Sequence, residues 1–383
     1  MLNQRQTCAG ARVCDHQMWV GESIMRSSIV GLGDWLRRRS RRLPSDPAAE
    51  ILAGDFLWRG SIEGSAAARS LGGTRAFRDA SGEIPLAPEG LGADAGFGML
   101  TPAQAARLRR LVRQAFAERG HECLVSSTWA TDSDGTTFGL WNVAAACRGL
   151  PDEAWPATVN LHVAAVLAAR PTSALSTADV LAALRLRLVH VDSLPVLDDL
   201  PHCFAVAPGL VEILSLEMAE VVLTPTRADL LRHGTIVEMI SRARSNLRGI
   251  IGPQLSAASI RTPDGLSFTA VSGEGFHIGS LALVVSDLVE ALDPGTDTRR
   301  GVFVAVPDRH QVVCRPVVGL SSLMSVQPLA AFAHARHARG IDPVSPHVFW
   351  VRNGAWTQLT FAKGQRVAIH VSTELTKAID DEP

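Results

Sequence analysis

The chain has 383 residues, 46 % of them apolar, and its 37 Lys and Arg against 38 Asp and Glu leave a formal net charge of −1. That is ample material for a sizeable core and for two or three domains, and the charge balance excludes the globally basic class that binds nucleic acid as a whole surface. Six cysteines at 8, 14, 123, 147, 203 and 314 form no C-x-x-C pair, and no apolar run reaches the ~20 residues that span a bilayer. The expectation is a cytoplasmic protein with free thiols, no disulfide framework, no metal and no cofactor. The basic residues are almost all arginine and tyrosine is absent, a bias that fits a GC-rich bacterial genome.

Residues 1–100 read as a basic, Gly/Pro-rich, largely flexible N-terminal region, and Met25 is an alternative start. Ile24 to Leu36 carries Ile29, Val30, Leu32, Trp35 and Leu36, followed by Arg37, Arg38, Arg39, Arg41 and Arg42. A short amphipathic helix with such an end suits an anionic membrane or nucleic acid, and the plainer account is an exposed basic tail before a linker. Folded structure is expected from Thr101. Thr101, Pro102 and Gln104 supply an N-cap, a proline at the first helical position and a capping-box partner. Leu108, Leu111, Val112, Ala115 and Phe116 then recur at helical spacing until Gly120.

Cys123 to Trp129 reads as a strand, Asp132 to Gly135 as a turn, Phe138 to Arg148 as a buried helix, and Pro151 to Leu167 as another. Ser176 and Thr177 cap a short helix before a strand at Leu186–Val191, and Pro195 to Pro208 reads as a loop. Leu210 to Val222 is mostly strand with Glu212, Glu217 and Glu220 interleaved. Thr226 caps a helix that ends at Gly234, and Thr235 with Glu238 makes a second capping box.

Three hairpins follow, separated by helices at Ser280–Leu292 and Gln327–Arg339. Their turns lie at Asp264-Gly265, at Pro307-Asp308-Arg309-His310 and at Asn353-Gly354. Asp-Gly and Asn-Gly tolerate the positive φ that two-residue turns demand. Trp350 and Trp356 flank the third turn and are placed to pair across it. A polar tail completes the chain. The fold class is therefore α+β, an antiparallel sheet of hairpins with helices packed mainly on one face. The organisation expected is the N-terminal region 1–100, an α/β lobe at 101–200, an α+β lobe at 201–322 and a helix–hairpin extension with tail at 323–383.

The chain contains no phosphate loop, no dinucleotide fingerprint, no H-E-x-x-H and no G-x-S-x-G. Acid/base candidates are Glu274 and His277, in a glycine-rich stretch before a helix capped by Ser280, and Asp308, Arg309 and His310 in the second turn. The plain alternatives are a capped strand-to-helix connection and an ordinary turn with solvated Arg and His. His334 and His337 share a helix face and have the spacing of a metal pair, but no third ligand is evident nearby, and a solvated helical face explains them.

Phe138 to Cys147, Trp155-Pro156, Ala207 to Val211, Ala243 to Leu247 and Gly301 to His310 together resemble a family of uncharacterised actinobacterial proteins, over residues 105–318. The resemblance implies an α+β domain and brings no reaction with it. Hairpin edges free for pairing favour a binding or regulatory module that acts through protein–protein contact, with a protein partner or a second copy. The alternative is a hydrolase-like or transferase-like enzyme built on Glu274, His277, Asp308 and His310.

Overall fold

Residues 92–380 are described by the computed structural model, apart from 134–136, 169–173, 195–199, 201, 219–220, 263–264 and 364–365. All of them belong to one unit, Trp58–Pro383. The helix expected at Ile24–Leu36, the basic run Arg37–Arg42, Met25 and the turn residue Asp264 lie outside the described residues.

The capping chemistry read from the sequence sets the helix starts. The Gln104 N–H donates to Thr101 Oγ1 at 3.3 Å and the Thr101 N–H donates to Gln104 Oε1 at 3.0 Å, so α1 (Pro102–Ala117) opens with two otherwise unpaired donors satisfied. It closes before Gly120, whose φ of +78° a side-chain-bearing residue rarely adopts. Leu108, Val112, Ala115 and Phe116 form its buried stripe. Ser176 caps α4 (Thr177–Ala183), Thr226 caps α5 (Arg227–Leu231), and the Thr235–Glu238 box opens α6 (Ile236–Arg248).

A first core gathers α1, a small antiparallel sheet and two more helices. The sheet is β1 (Cys123–Val125), β2 (Trp129–Asp132) and β3 (Thr137–Gly139); the helices are α2 (Trp141–Arg148) and α3 (Trp155–Ala168). The single strand expected over Cys123–Trp129 is instead split, because the Ser126 N–H donates to the Trp129 carbonyl and closes a turn. The helix expected from Phe138 starts only at Trp141, since Phe138 pairs with Ala130.

The central sheet has the order β13-β12-β10-β11-β9-β8, antiparallel throughout. Its strands are β8 (Ser256–Arg261), β9 (Ser267–Ser272), β10 (Val302–Asp308), β11 (Gln311–Pro316), β12 (Val348–Arg352) and β13 (Ala355–Gln358). All three expected hairpins are present, and Asn353 and Gly354 take φ of +51° and +78°. Apolar cover is present on both faces of this sheet. Val302, Val304 and Val306 face Leu281 of a 3-10 stretch (Gly279–Val284) and Leu288 of α7 (Val285–Leu292). The opposite face carries Phe268, in edge contact with Phe332 of α8 (Val326–His337) at 5.6 Å. The physical reason is visible in β10: an unbroken Val-Phe-Val-Ala-Val run suits a strand buried on both sides. Each Val or Phe so buried contributes roughly 1.5–3 kcal/mol. Trp350 and Trp356 do not pair, because the register sets Trp356 opposite Val351; Trp356 meets Phe349 at 5.5 Å and Trp350 Nε1 donates to the Arg300 carbonyl.

A second sheet holds β4 (Leu184–His190), β6 (Leu210–Glu217), β5 (Cys203–Ala207) and β7 (Val222–Leu223), each pairing with β6. β5 lies where a loop was expected: Pro208-Gly209, with φ of +74° at the glycine, turns it back onto β6. Glu212 of β6 is buried and accepts from Arg244 and His202. The polar tail also folds, into β14 (Thr360–Lys363), β15 (Arg366–Ile369) and α9 (Thr373–Asp380), which buries Leu375, Ala378 and Ile379. Strand pairing crosses two of the expected borders, since β4 pairs β6 across 200/201 and β10 pairs β12 across 322/323. Among the described residues no helix is long and apolar enough to cross a membrane.

Candidate functional site

In the second hairpin turn Asp308 is buried and Arg309 and His310 are half-buried, contrary to the expectation of solvated side chains. Asp308 is 1 % exposed, and two chain segments cover the turn. From one side the Gly279 N–H donates to the Arg309 carbonyl; from the other the Val344 and Ser345 N–H groups donate to the carbonyls of Pro307 and Val306. Gly340 lies so close that a Cβ there would stand 2.6 Å from Asp308 Cβ. Asp308 Oδ1 accepts from the His310 N–H at 2.9 Å, which forms the turn.

Charges buried this way must be paired. Arg336 reaches Asp308 Oδ2 at 3.7 Å, while Asp342 holds Arg187 through a short ion pair and lies 3.9 Å from Arg309. The Arg309 guanidinium lies over the Phe276 ring at 4.9 Å, and burial pushes it down to about 10. Arg309 Nε donates to His310 Nε2 at 2.9 Å, and His310 Nδ1 stands 3.2 Å from the Gly273 carbonyl. Those two contacts fix the neutral tautomer with the proton on Nδ1. Burial first, then the adjacent Arg309 charge, pushes His310 down to about 4. Burial raises the Asp308 carboxyl above the usual range. Such a network orders a turn, and the His310 Nε2 lone pair that a general base would use is already engaged by Arg309 Nε.

The remaining two candidates part company. Glu274 is exposed, one residue beyond the carbonyl that His310 touches. His277 is 0 % exposed and turns to the second sheet: its Nε2 is 2.9 Å from Ser215 Oγ and its Nδ1 3.4 Å from Glu217 Oε1. Ser215 and Glu217, two apart on β6, share a face. The order serine, imidazole, carboxylate is that of a nucleophile with its base and orienting acid. Burial lowers His277, so the ring stays neutral. Ser280 does not cap a helix; its Oγ accepts the Leu188 N–H at 3.0 Å, and the Gly279 N–H, which an anion would need, is already bonded.

An open cleft of about 700 Å³ lies elsewhere, lined among others by Trp141, His190, Asp192, His337, Asp342 and His347. None of Glu274, His277, Asp308, Arg309 and His310 lines it. His334 and His337, expected on a solvated face, are instead half-buried at the end of α8. The His334 and His347 rings meet edge-on at 6.0 Å, and His334 Nε2 and His347 Nδ1 are buried without a hydrogen-bond partner. Burial, with the neighbouring imidazoles of His334, His190 and His347, pushes His337 down to about 4. Burial likewise lowers His334 and His347.

Sequence spacing finds His334 and His337, but His190 and His347 come from other elements and carry no local signal. The same holds for Arg187, Asp342, Ser215 and Glu217. As they stand, no three His, Cys, Asp or Glu side chains among the described residues form a ready metal-binding set. Comparison with protein-family models, curated proteins and solved structures finds no match for this chain.

Proposed function

We propose that this protein is a binding or regulatory module that acts through contact with another protein, and that β8 is the edge it offers. The observation that carries the reading is the state of that strand. β8 ends the central sheet and pairs in unbroken register with β9 from Ser256 opposite Ser272 to Arg261 opposite Ser267. It has no bulge and no proline, and its one charge stands at the end. Edge strands not meant for pairing are usually blunted by such devices. A partner's extended segment added here gains main-chain hydrogen bonds, with side-chain contacts supplying specificity. The test is affinity capture with sizing of the full chain, beside Ser259→Lys, which sets a charge at mid-edge. Support is a complex formed by the wild type and lost in the variant, with circular dichroism unchanged. A strictly monomeric wild type that retains nothing, or a variant that binds as well, overturns it.

A second reading, a hydrolase-like or transferase-like enzyme, draws on the Ser215–His277–Glu217 alignment rather than on the turn residues. It is the weaker one, because Ser215 and His277 are both 0 % exposed and a substrate must reach the nucleophile. Covalent labelling by a fluorophosphonate, lost in Ser215→Ala, supports it; no labelling of the wild type removes it.

A further inference from the structure

We propose that β8 pairs antiparallel with β8 of a second copy of this chain, so that two central sheets join into one across a twofold axis at Ser259. The inference rests on the reading of β8 as a pairing edge and names the partner. The ladder decides which main-chain groups face outward. The Thr262 N–H donates to the Leu266 carbonyl across the first hairpin turn, so Thr262 points toward β9. Along an antiparallel strand the bonding direction alternates from one residue to the next. Ser256, Ala258 and Ile260 therefore bond β9, and Ala257, Ser259 and Arg261 turn their N–H and C=O groups away from the sheet. Among the described residues no backbone hydrogen bond takes up those groups of Ala257 and Ser259, and neither residue is buried.

Outward groups can bond only outward groups, so a second β8 must set Ala257, Ser259 and Arg261 against residues of the same set. Centring the pair on Ser259 uses all of them: Ser259 faces the partner's Ser259, and Ala257 faces the partner's Arg261. The strand suits its own copy in this register. Its one charge meets an alanine methyl, so no like charges stand opposite each other. The two Arg261 side chains are offset by four residues of strand, about 13 Å, which exceeds the ~8 Å over which exposed charges act at physiological salt. On the face that carries Phe268, Ala258 meets the partner's Ile260, small against large, and the symmetry repeats the match. The formal net charge of −1 lets two copies approach without overall repulsion. A single strand pair is smaller than a standard interface, so the dimer should form in a concentration-dependent way.

The experiment is sedimentation equilibrium of the full chain over about 1–100 µM, the range in which small interfaces associate. The mass should rise toward twice 40.9 kDa. Ser259→Pro deletes an outward N–H and leaves the β9 ladder in place, so it should abolish the rise. If thermal melts show that it unfolds early, Ser259→Lys is read instead; its two ammonium groups meet on the axis and should weaken association about fivefold. Cysteine variants read the register. Ser259→Cys should form an intermolecular disulfide under mild oxidation, because residues bonded in this way have Cα atoms about 5.5 Å apart, within the span of the bond. Arg261→Cys, which faces Ala257, should not exceed the wild-type background set by exposed Cys203. A dimer that survives Ser259→Pro and Ser259→Lys, or a Ser259→Cys protein that cross-links no more than Arg261→Cys, overturns the inference. So does a wild type that stays monomeric throughout. If that monomer still captures another protein and loses it in Ser259→Lys, the β8 reading stands with a different partner; if it captures nothing, both fall.

Discussion

Acid should loosen the buried turn, and His310 is the group through which it acts. The ring sits between a donor, Arg309 Nε at 2.9 Å, and an acceptor, the Gly273 carbonyl at 3.2 Å. Protonating Nε2 breaks the first contact and sets a second positive charge against the guanidinium. Facing the ring are Arg309 and the more distant Asp342 charge, which opposes the shift only in part. With about 4 in the folded state and ~6.5 in the unfolded chain, the unfolded state binds more protons between those values, so stability falls as pH drops through that window. Integrated from pH 8 to pH 5, the loss is about 2 kcal/mol. The matching variant is His310→Gln, whose amide can donate to the Gly273 carbonyl and accept from Arg309 without titrating. Urea unfolding of both proteins at pH 8, 7, 6 and 5 separates this contribution from those of the other histidines and of Asp308, which are common to both. The gap between the two proteins should shift by about 2 kcal/mol in favour of the variant from pH 8 to pH 5. Parallel pH profiles would refute the reasoning.

Gly301→Ala should cost about 3 kcal/mol, since the site has φ of +90° and the added Cβ would stand 2.3 Å from Trp350 Nε1. Thermal unfolding with a near-ultraviolet signal from tryptophan checks it; a change under about 0.5 kcal/mol contradicts the packing described. Ser280→Ala should cost about 1–3 kcal/mol by leaving the Leu188 N–H without a partner, with chemical denaturation as the measurement and an unaltered midpoint as the adverse result. Thr101→Ala should cost about 1 kcal/mol and speed amide exchange in the first turn of α1, because it removes one half of the capping box; unchanged exchange there speaks against the cap.

Much of the fold was legible one segment at a time. Thr101, Ser176, Thr226 and Thr235 marked helix starts because capping is a contact between residues three apart. Asn353-Gly354 marked a hairpin because positive φ is a property of the turn residues themselves. The two-sided burial of β10 is also written in its unbroken apolar run. What escaped was non-local. β5 carries no local strand signal, because its strand character depends on the Pro208-Gly209 reversal and on pairing with β6. The Asp308–His310 turn looks solvated from its sequence, because nothing in those residues reveals that 273–279 and 340–345 close over them.

The same division separates the candidate sites. Local order alone settled that this chain is an antiparallel α+β protein and supplied two histidines on one helix face. Only the tertiary structure brought His347 and His190 to those two, buried the charges of the second turn, and set His277 between Ser215 and Glu217. Hydrogen-bonded turns and caps are decided within a few residues of chain, whereas burial and the meeting of side chains from distant strands are decided by packing.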